Sequence, residues 1–176
     1  IEAYDISNIQ GVDSVGAMVV FEKGKAKNSD YRRFKIKTVV GANDYESMRE
    51  VLRRRFKRGL EELEKLSSLE LELDKTKFTV FPDLILMDGG KGHVSVAKDV
   101  LKEFNLDIPV AGMVKDNKHT ARGLIYENEE ISFKATSPVM GLIRRIQDEV
   151  HRFAITYHRS LRDKRSLRSV LDNVPN

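Results

Sequence analysis

The sequence has no cysteine and no tryptophan, and only four prolines among its 176 residues. No apolar run approaches the roughly 20 residues that a membrane-crossing helix needs. Without cysteine, disulfides, thiol nucleophiles and thiolate metal sites are excluded. No internal repeat or low-complexity tract is present, which removes the repeat architectures. No stretch within residues 1–176 reads as a secretory leader, so none is expected. The chain opens on Ile1, so the expectation is a piece of a longer chain in a reducing, cytoplasmic setting, with no membrane partner.

Apolar residues make up 40% of the chain and charged residues 33%, with a mean hydropathy of −0.42. Those values suit one globular domain over residues 1–176. The net charge of +4 is unevenly spread. Residues 23–37 carry seven cations and one anion, 49–58 six and one, and 141–168 eight and three. Residues 60–75 hold six carboxylates and two lysines. Concentrated positive stretches fit a polyanion, and nucleic acid is the first candidate.

Residues 1–6 and 15–21 read as strands. The alternating stretch 31–39 pairs with 15–21 across a polar turn as a hairpin. Asn43 or Asp44 caps a helix whose apolar stripe is Tyr45, Met48, Leu52, Phe56, Leu60 and Leu63, leaving Arg53, Arg54 and Lys57 near water. Residues 67–78 read as a loop. The apolar run 80–87 fits a strand covered on both faces, which makes it a parallel neighbour of the first strand. A helix over 94–104, a buried strand over 108–114 and a hairpin over 124–133 follow. Ser137 and Pro138 open a long helix with the stripe Val139, Leu142, Ile146, Val150, Phe153 or Ala154, Tyr157 and Leu161. Residues 167–174 form a short terminal element. The order predicts an α/β fold with a mixed sheet and helices on both faces.

Two carboxylates stand out. Asp5 interrupts the first strand and Asp88 ends the run Leu-Ile-Leu-Met. A charge there is costly unless it is paired or bound to a cation. On adjacent parallel strands the two backbones lie roughly 5 Å apart, and a hard divalent cation relieves the repulsion between their side chains. His151 flanks the stripe of the last helix, a place for a metal ligand or a proton carrier. Asp88-Gly-Gly-Lys-Gly92 lacks the spacing of a nucleotide-binding phosphate loop, so its glycines are read as a sharp turn that lets a phosphate backbone approach. Residues 148–152 lack the H-E-x-x-H pattern, and no G-x-S-x-G elbow occurs.

Longer matches carry more. The segments Tyr-Asp-Ile-Ser-Asn-Ile-Gln-Gly (4–11), Tyr-Arg-Arg-Phe-Lys-Ile (31–36), Asp-Tyr-Glu-Ser-Met-Arg-Glu-Val-Leu (44–52), Pro-Asp-Leu-Ile-Leu-Met-Asp-Gly-Gly-Lys-Gly (82–92) and Arg-Ile-Gln-Asp-Glu-Val-His-Arg-Phe-Ala-Ile-Thr-Tyr-His-Arg (145–159) resemble the C-terminal endonuclease domain of the UvrC family. The resemblance implies an RNase H-like mixed five-stranded sheet and metal-dependent incision of damaged double-stranded DNA, 5′ to the lesion, in bacterial nucleotide excision repair. It carries the family's Asp, Asp, His constellation onto Asp5, Asp88 and His151. The implied cofactor is Mg²⁺ or Mn²⁺, with one or two ions left open and with Glu46 or Glu50 as possible extra ligands. His151 is either a ligand or a proton shuttle. Asn8, Gln10, Lys91, Lys115, Arg152 and Arg159 are candidates for phosphate or strand positioning. The implied partners are damaged DNA and UvrB, with UvrA upstream. The family's GIY-YIG, UvrB-binding and helix-hairpin-helix parts have no counterpart in residues 1–176. Two rival readings remain at this point: a non-catalytic DNA-binding or scaffold module of the same fold, and a transposase- or resolvase-type nuclease.

Overall fold

The computed structural model describes residues 1–8 and 14–173, and their side chains except those of 157–162 and 165. The centre of the sheet is β1 (Glu2–Ser7). On one side β1 pairs antiparallel with β2 (Val15–Glu22), and β2 in turn pairs with β3 (Lys25–Ala26) and β4 (Arg32–Lys35). On the other side β1 runs parallel to β5 (Ile85–Met87), and β5 runs parallel to β6 (Val110–Lys115). An antiparallel hairpin, β7 (Ala121–Tyr126) and β8 (Glu129–Ser132), finishes that edge.

The sheet therefore has eight strands rather than five. The additions lie at its margins: β3 is two residues long, and the hairpin expected over 124–133 supplies β7 and β8 at the far edge. The predicted parallel neighbours, β1 and β5, are central.

Period-2 alternation assigns the faces. Tyr4, Ile85 and Met87 face α1 (Asp44–Ser67) and α2 (Lys91–Glu103), whose Met48, Leu52, Phe56, Val94 and Ala97 complete one core. Ala3, Ala17, Leu86, Ala111 and Met113 face α3 (Pro138–Asp172), which contributes Met140, Ile143, Ile146, Val150 and Ala154. Three of those five sheet residues are alanines, so the face beneath α3 is low and the helix lies close to the strands.

Local chemistry explains the helix starts. Asn43 accepts from the Glu46 amide at 3.2 Å, and Ser137 accepts from Met140 at 3.1 Å with Pro138 in the first turn. The terminal element expected over 167–174 is absorbed as far as Asp172 into the uninterrupted α3. The last part of its predicted stripe, Tyr157 and Leu161, lies outside the described side chains.

The strand expected over 80–87 is shorter, only 85–87. Val80 is exposed and its carbonyl accepts from Arg55 at 2.8 Å, while Phe78 gives its carbonyl to the same guanidinium at 2.7 Å. Backbone acceptors taken by a side chain cannot serve a ladder, and Pro82 has no N–H to offer one. Segment 77–81 instead packs along α1. Glu62 accepts from the Lys77 and Phe78 amides, both at 2.9 Å. Gly59 is needed at this approach, since a Cβ there would sit 2.5 Å from the Phe78 carbonyl oxygen.

Arg55 is the largest fully buried side chain among the described residues. It pairs with Glu2 at 2.7 Å, and Glu2 also accepts from the Tyr4 hydroxyl at 2.5 Å. One buried polar knot thus ties α1, β1 and segment 78–80 together. Among the described residues, no helix is long and apolar enough to cross a membrane.

Candidate active site

Strand alternation carries the two acids to one face. Ala3 and Leu86 point toward α3, and so do Asp5 and Asp88, two residues further on. The parallel register pairs Tyr4 with Met87, and the Asp88 amide donates to the Tyr4 carbonyl at 3.0 Å, which sets Asp88 next to Asp5. From above, α3 brings in His151, one position beyond the buried Val150. Its Nδ1 lies 3.0 Å from Asp5 Oδ2 and its Nε2 lies 2.8 Å from Asp88 Oδ2. Donor atoms from the three side chains all lie within 4.8 Å of one another.

A fourth group joins them. On β6 the alternation that turns Ala111 and Met113 toward α3 also turns Lys115 that way, across a register irregularity between Val114 and Lys115. Lys115 Nζ lies 2.7 Å from Asp88 Oδ1. Asp88 is thus buried with one cationic group near each oxygen, yet neither oxygen receives an aligned hydrogen bond from a described residue.

The electrostatics follow from this packing. Burial pushes the Asp5 carboxyl up, the Asp88 charge adds to that, and the bond from His151 opposes both. Burial also acts to raise Asp88, but His151 and Lys115 outweigh it and hold the carboxyl below its usual range. His151, paired first with Asp5 and then with Asp88, is pushed up to about 10 against the effect of its own burial. A carboxylate oxygen within 3.0 Å of each ring nitrogen favours the protonated ring over the neutral one. Two carboxylates and an imidazole make a mixed oxygen and nitrogen donor set for a hard or borderline divalent ion. The buried Asp88 oxygens without aligned donors fit that role.

The remaining candidates scatter. Asn8 donates to Asp44 and accepts from Ser14, so it fastens the end of β1 to the start of α1. Gln10 lies outside the described residues, as does the side chain of Arg159. Lys91 is exposed at the first position of α2, and Arg152 is exposed and paired with Glu149. Glu46 and Glu50 do not join the acids. Glu46 pairs with Arg49, and Glu50 accepts from the amides of Lys37 and Thr38 at 2.9 and 2.7 Å. The basic stretches do meet elsewhere. Arg32 and Arg33 of β4, Arg54, Lys57 and Arg58 of α1, and Lys77 line an open groove of about 460 Å³ at the β4 edge.

A family model described as the UvrC RNAse H endonuclease domain matches residues 1–155. The chain belongs to the UvrC family. The fold is accordingly RNase H-like, with Asp5 on β1 and Asp88 directly after its parallel neighbour β5. The chain is 70% identical over 176 residues to the UvrABC system protein C of Clostridium tetani, covering 100% of this chain and 28% of that protein. The protein of the same name from Clostridium acetobutylicum is 70% identical over 175 residues, covering 99% and 28%. That from Clostridium perfringens is 68% identical over 175 residues, with the same coverage. The chain thus spans 28% of the length of these UvrC relatives.

Proposed function

We propose that residues 1–176 form a single RNase H-like endonuclease domain that hydrolyses a DNA phosphodiester with a divalent ion held by Asp5, Asp88 and His151. In the complete protein its role is the incision 5′ to a damaged nucleotide during nucleotide excision repair, in the cytoplasm, with UvrB as partner and UvrA acting upstream. One observation carries the reading: two acids from neighbouring strands and a histidine from a distant helix converge within 4.8 Å. Membership of the UvrC family supplies the substrate class and the partners.

Held by Asp5, Asp88 and His151, a divalent ion would supply Lewis-acid chemistry, polarising a phosphate and acidifying a bound water. Asp5 and Asp88 supply the oxygen donors and the negative charge that retain the ion. His151 supplies the nitrogen donor, and an imidazole accommodates Mn²⁺ at least as well as Mg²⁺. Among the basic candidates, Lys91, exposed beside the Gly89-Gly90 turn, is the one we assign to a backbone phosphate. The reading is tested with full-length protein, UvrB and a lesion-bearing duplex: a 5′ nick that requires Mg²⁺ or Mn²⁺ supports it, and an unchanged nick in the presence of a chelator overturns it.

Ion binding has a proton signature. His151 holds its proton up to about pH 10 while it pairs with Asp5 and Asp88. A ligating imidazole must be neutral, so loading the site near pH 7 displaces about one proton. Apparent Mn²⁺ affinity therefore climbs as pH rises, by roughly tenfold per unit between pH 6 and 8. Calorimetric titration in two buffers of different ionisation enthalpy reads this directly. A buffer-independent heat would show that His151 is not a ligand.

A further inference from the structure

We propose that Lys115 takes the place of a second metal ion, so that the site at Asp5, Asp88 and His151 holds one divalent cation. The proposal rests on the function proposed above and adds the stoichiometry and the residue that enforces it.

Two-ion phosphoryl-transfer sites place their ions about 3.5–4 Å apart. A carboxylate that bridges such a pair must offer one oxygen to each. Asp88 is the better-buried acid here, and its two oxygens are not equivalent. Oδ2 faces His151 and the space beside Asp5, whereas Oδ1 is 2.7 Å from the Lys115 ammonium. An ammonium at that distance stands where a bridged second ion would stand.

A second ion would also need further ligands. Among the described residues, Asp5, Asp88 and His151 are the one metal-ligating cluster found. The acids weighed as extra ligands are engaged, Glu46 with Arg49 and Glu50 with the 37–38 backbone and Arg54, and so is Glu149, two residues before His151, with Arg152. Charge leads to the same count. The two carboxylates contribute −2 and Lys115 contributes +1, so one divalent ion already leaves the buried set at +1, and a second would leave it at +3.

The position of Lys115 is structurally specified. Strand parity turns it to the acid face, where β6 still pairs with β7 through Lys115 and Ala121. Its side chain is 29% exposed while that of Asp88 is 1% exposed, so the ammonium sits at the mouth of the site with the carboxylate behind it. Lys115 is therefore a positioning residue. It fixes which Asp88 oxygen is left for the ion, and it supplies fixed positive charge beside the place where a phosphate would approach.

Mn²⁺ binding followed by electron paramagnetic resonance tests this, with Asp5→Asn as the baseline so that ions bound elsewhere cancel. The wild-type chain is expected to bind one ion above that baseline. Lys115→Met removes a like charge from beside the ion, so it binds the ion more tightly, on the order of tenfold, while strand incision slows by at least that factor. A lysine that only propped up the site would give the reverse, weaker binding on removal. Lys115→Glu is expected to take up two ions, and Lys115→Arg to keep one at near wild-type affinity. Two ions in the wild type, or unchanged or weaker binding in Lys115→Met, would overturn the assignment of Lys115. A wild type that binds no more Mn²⁺ than Asp5→Asn would overturn both the assignment and the metal site on which it rests.

Discussion

Asp88→Asn is expected to abolish strand incision, lowering the rate by on the order of 10³-fold or more. The estimate comes from the several kcal/mol of transition-state stabilisation a bound ion supplies, at about 1.36 kcal/mol per decade of rate. Asp88 is buried between Lys115 and His151, and its carboxyl is held below the usual range, so it stays ionised near neutral pH. Asparagine keeps the shape and removes the charge. Asp5→Asn is expected to have a similar effect, because no other described acid is close enough to replace it. The measurement is single-turnover nicking in Mg²⁺ and in Mn²⁺, beside far-UV circular dichroism showing the fold retained. Normal cutting by either variant would remove that residue from the chemistry.

The second large effect concerns folding. Arg55→Ala is expected to destabilise the domain by about 3–5 kcal/mol, the usual result of breaking a buried ion pair from one side. The substitution strands Glu2 next to the Tyr4 hydroxyl and releases the carbonyls of Phe78 and Val80. For a chain of this size the melting temperature should fall by roughly 10 °C. Arg55→Met combined with Glu2→Gln should recover much of the loss, since no uncompensated charge then remains inside. The same knot gives a pH dependence of known sign. Burial first and the Glu2 charge second raise the Tyr4 phenol well above its ordinary 10.0. The folded state prefers the protonated phenol, so this contribution is intact below pH 10 and is lost as pH climbs beyond it. Denaturant titrations at several pH values check both points; an Arg55→Ala midpoint equal to wild type would show that the knot is not structural.

Strand identity, the central parallel pair and the two-faced sheet were legible in the order and period of the apolar residues. Boundaries were less so. The run 80–87 looked like one strand, but Arg55 captures two carbonyls near its start and leaves only Ile85–Met87 in the ladder. Tyr45 fits the α1 stripe by spacing, yet it is half-exposed near the α2 start, because the buried face runs instead through Met48, Val51, Leu52, Arg55 and Phe56. A buried arginine is invisible to a hydrophobic period, since the pattern scores it as a surface residue. Lys115 carried a partial signal, the parity it shares with Ala111 and Met113, but its partner lies on another strand.

The sequence by itself determined the placement of Asp5 and Asp88 on apolar strands and of His151 beside a helical stripe, since these follow from local periods of 2 and 3.6 residues. Tertiary structure alone decided which oxygen of Asp88 faces which cation, that His151 reaches both acids, and that Lys115 rather than Glu46 or Glu50 completes the group. The reason is physical: a period fixes the face on which a side chain lies, whereas distances of 2.7–3.0 Å between groups far apart in the chain depend on strand register and on how closely α3 settles over a floor of alanines.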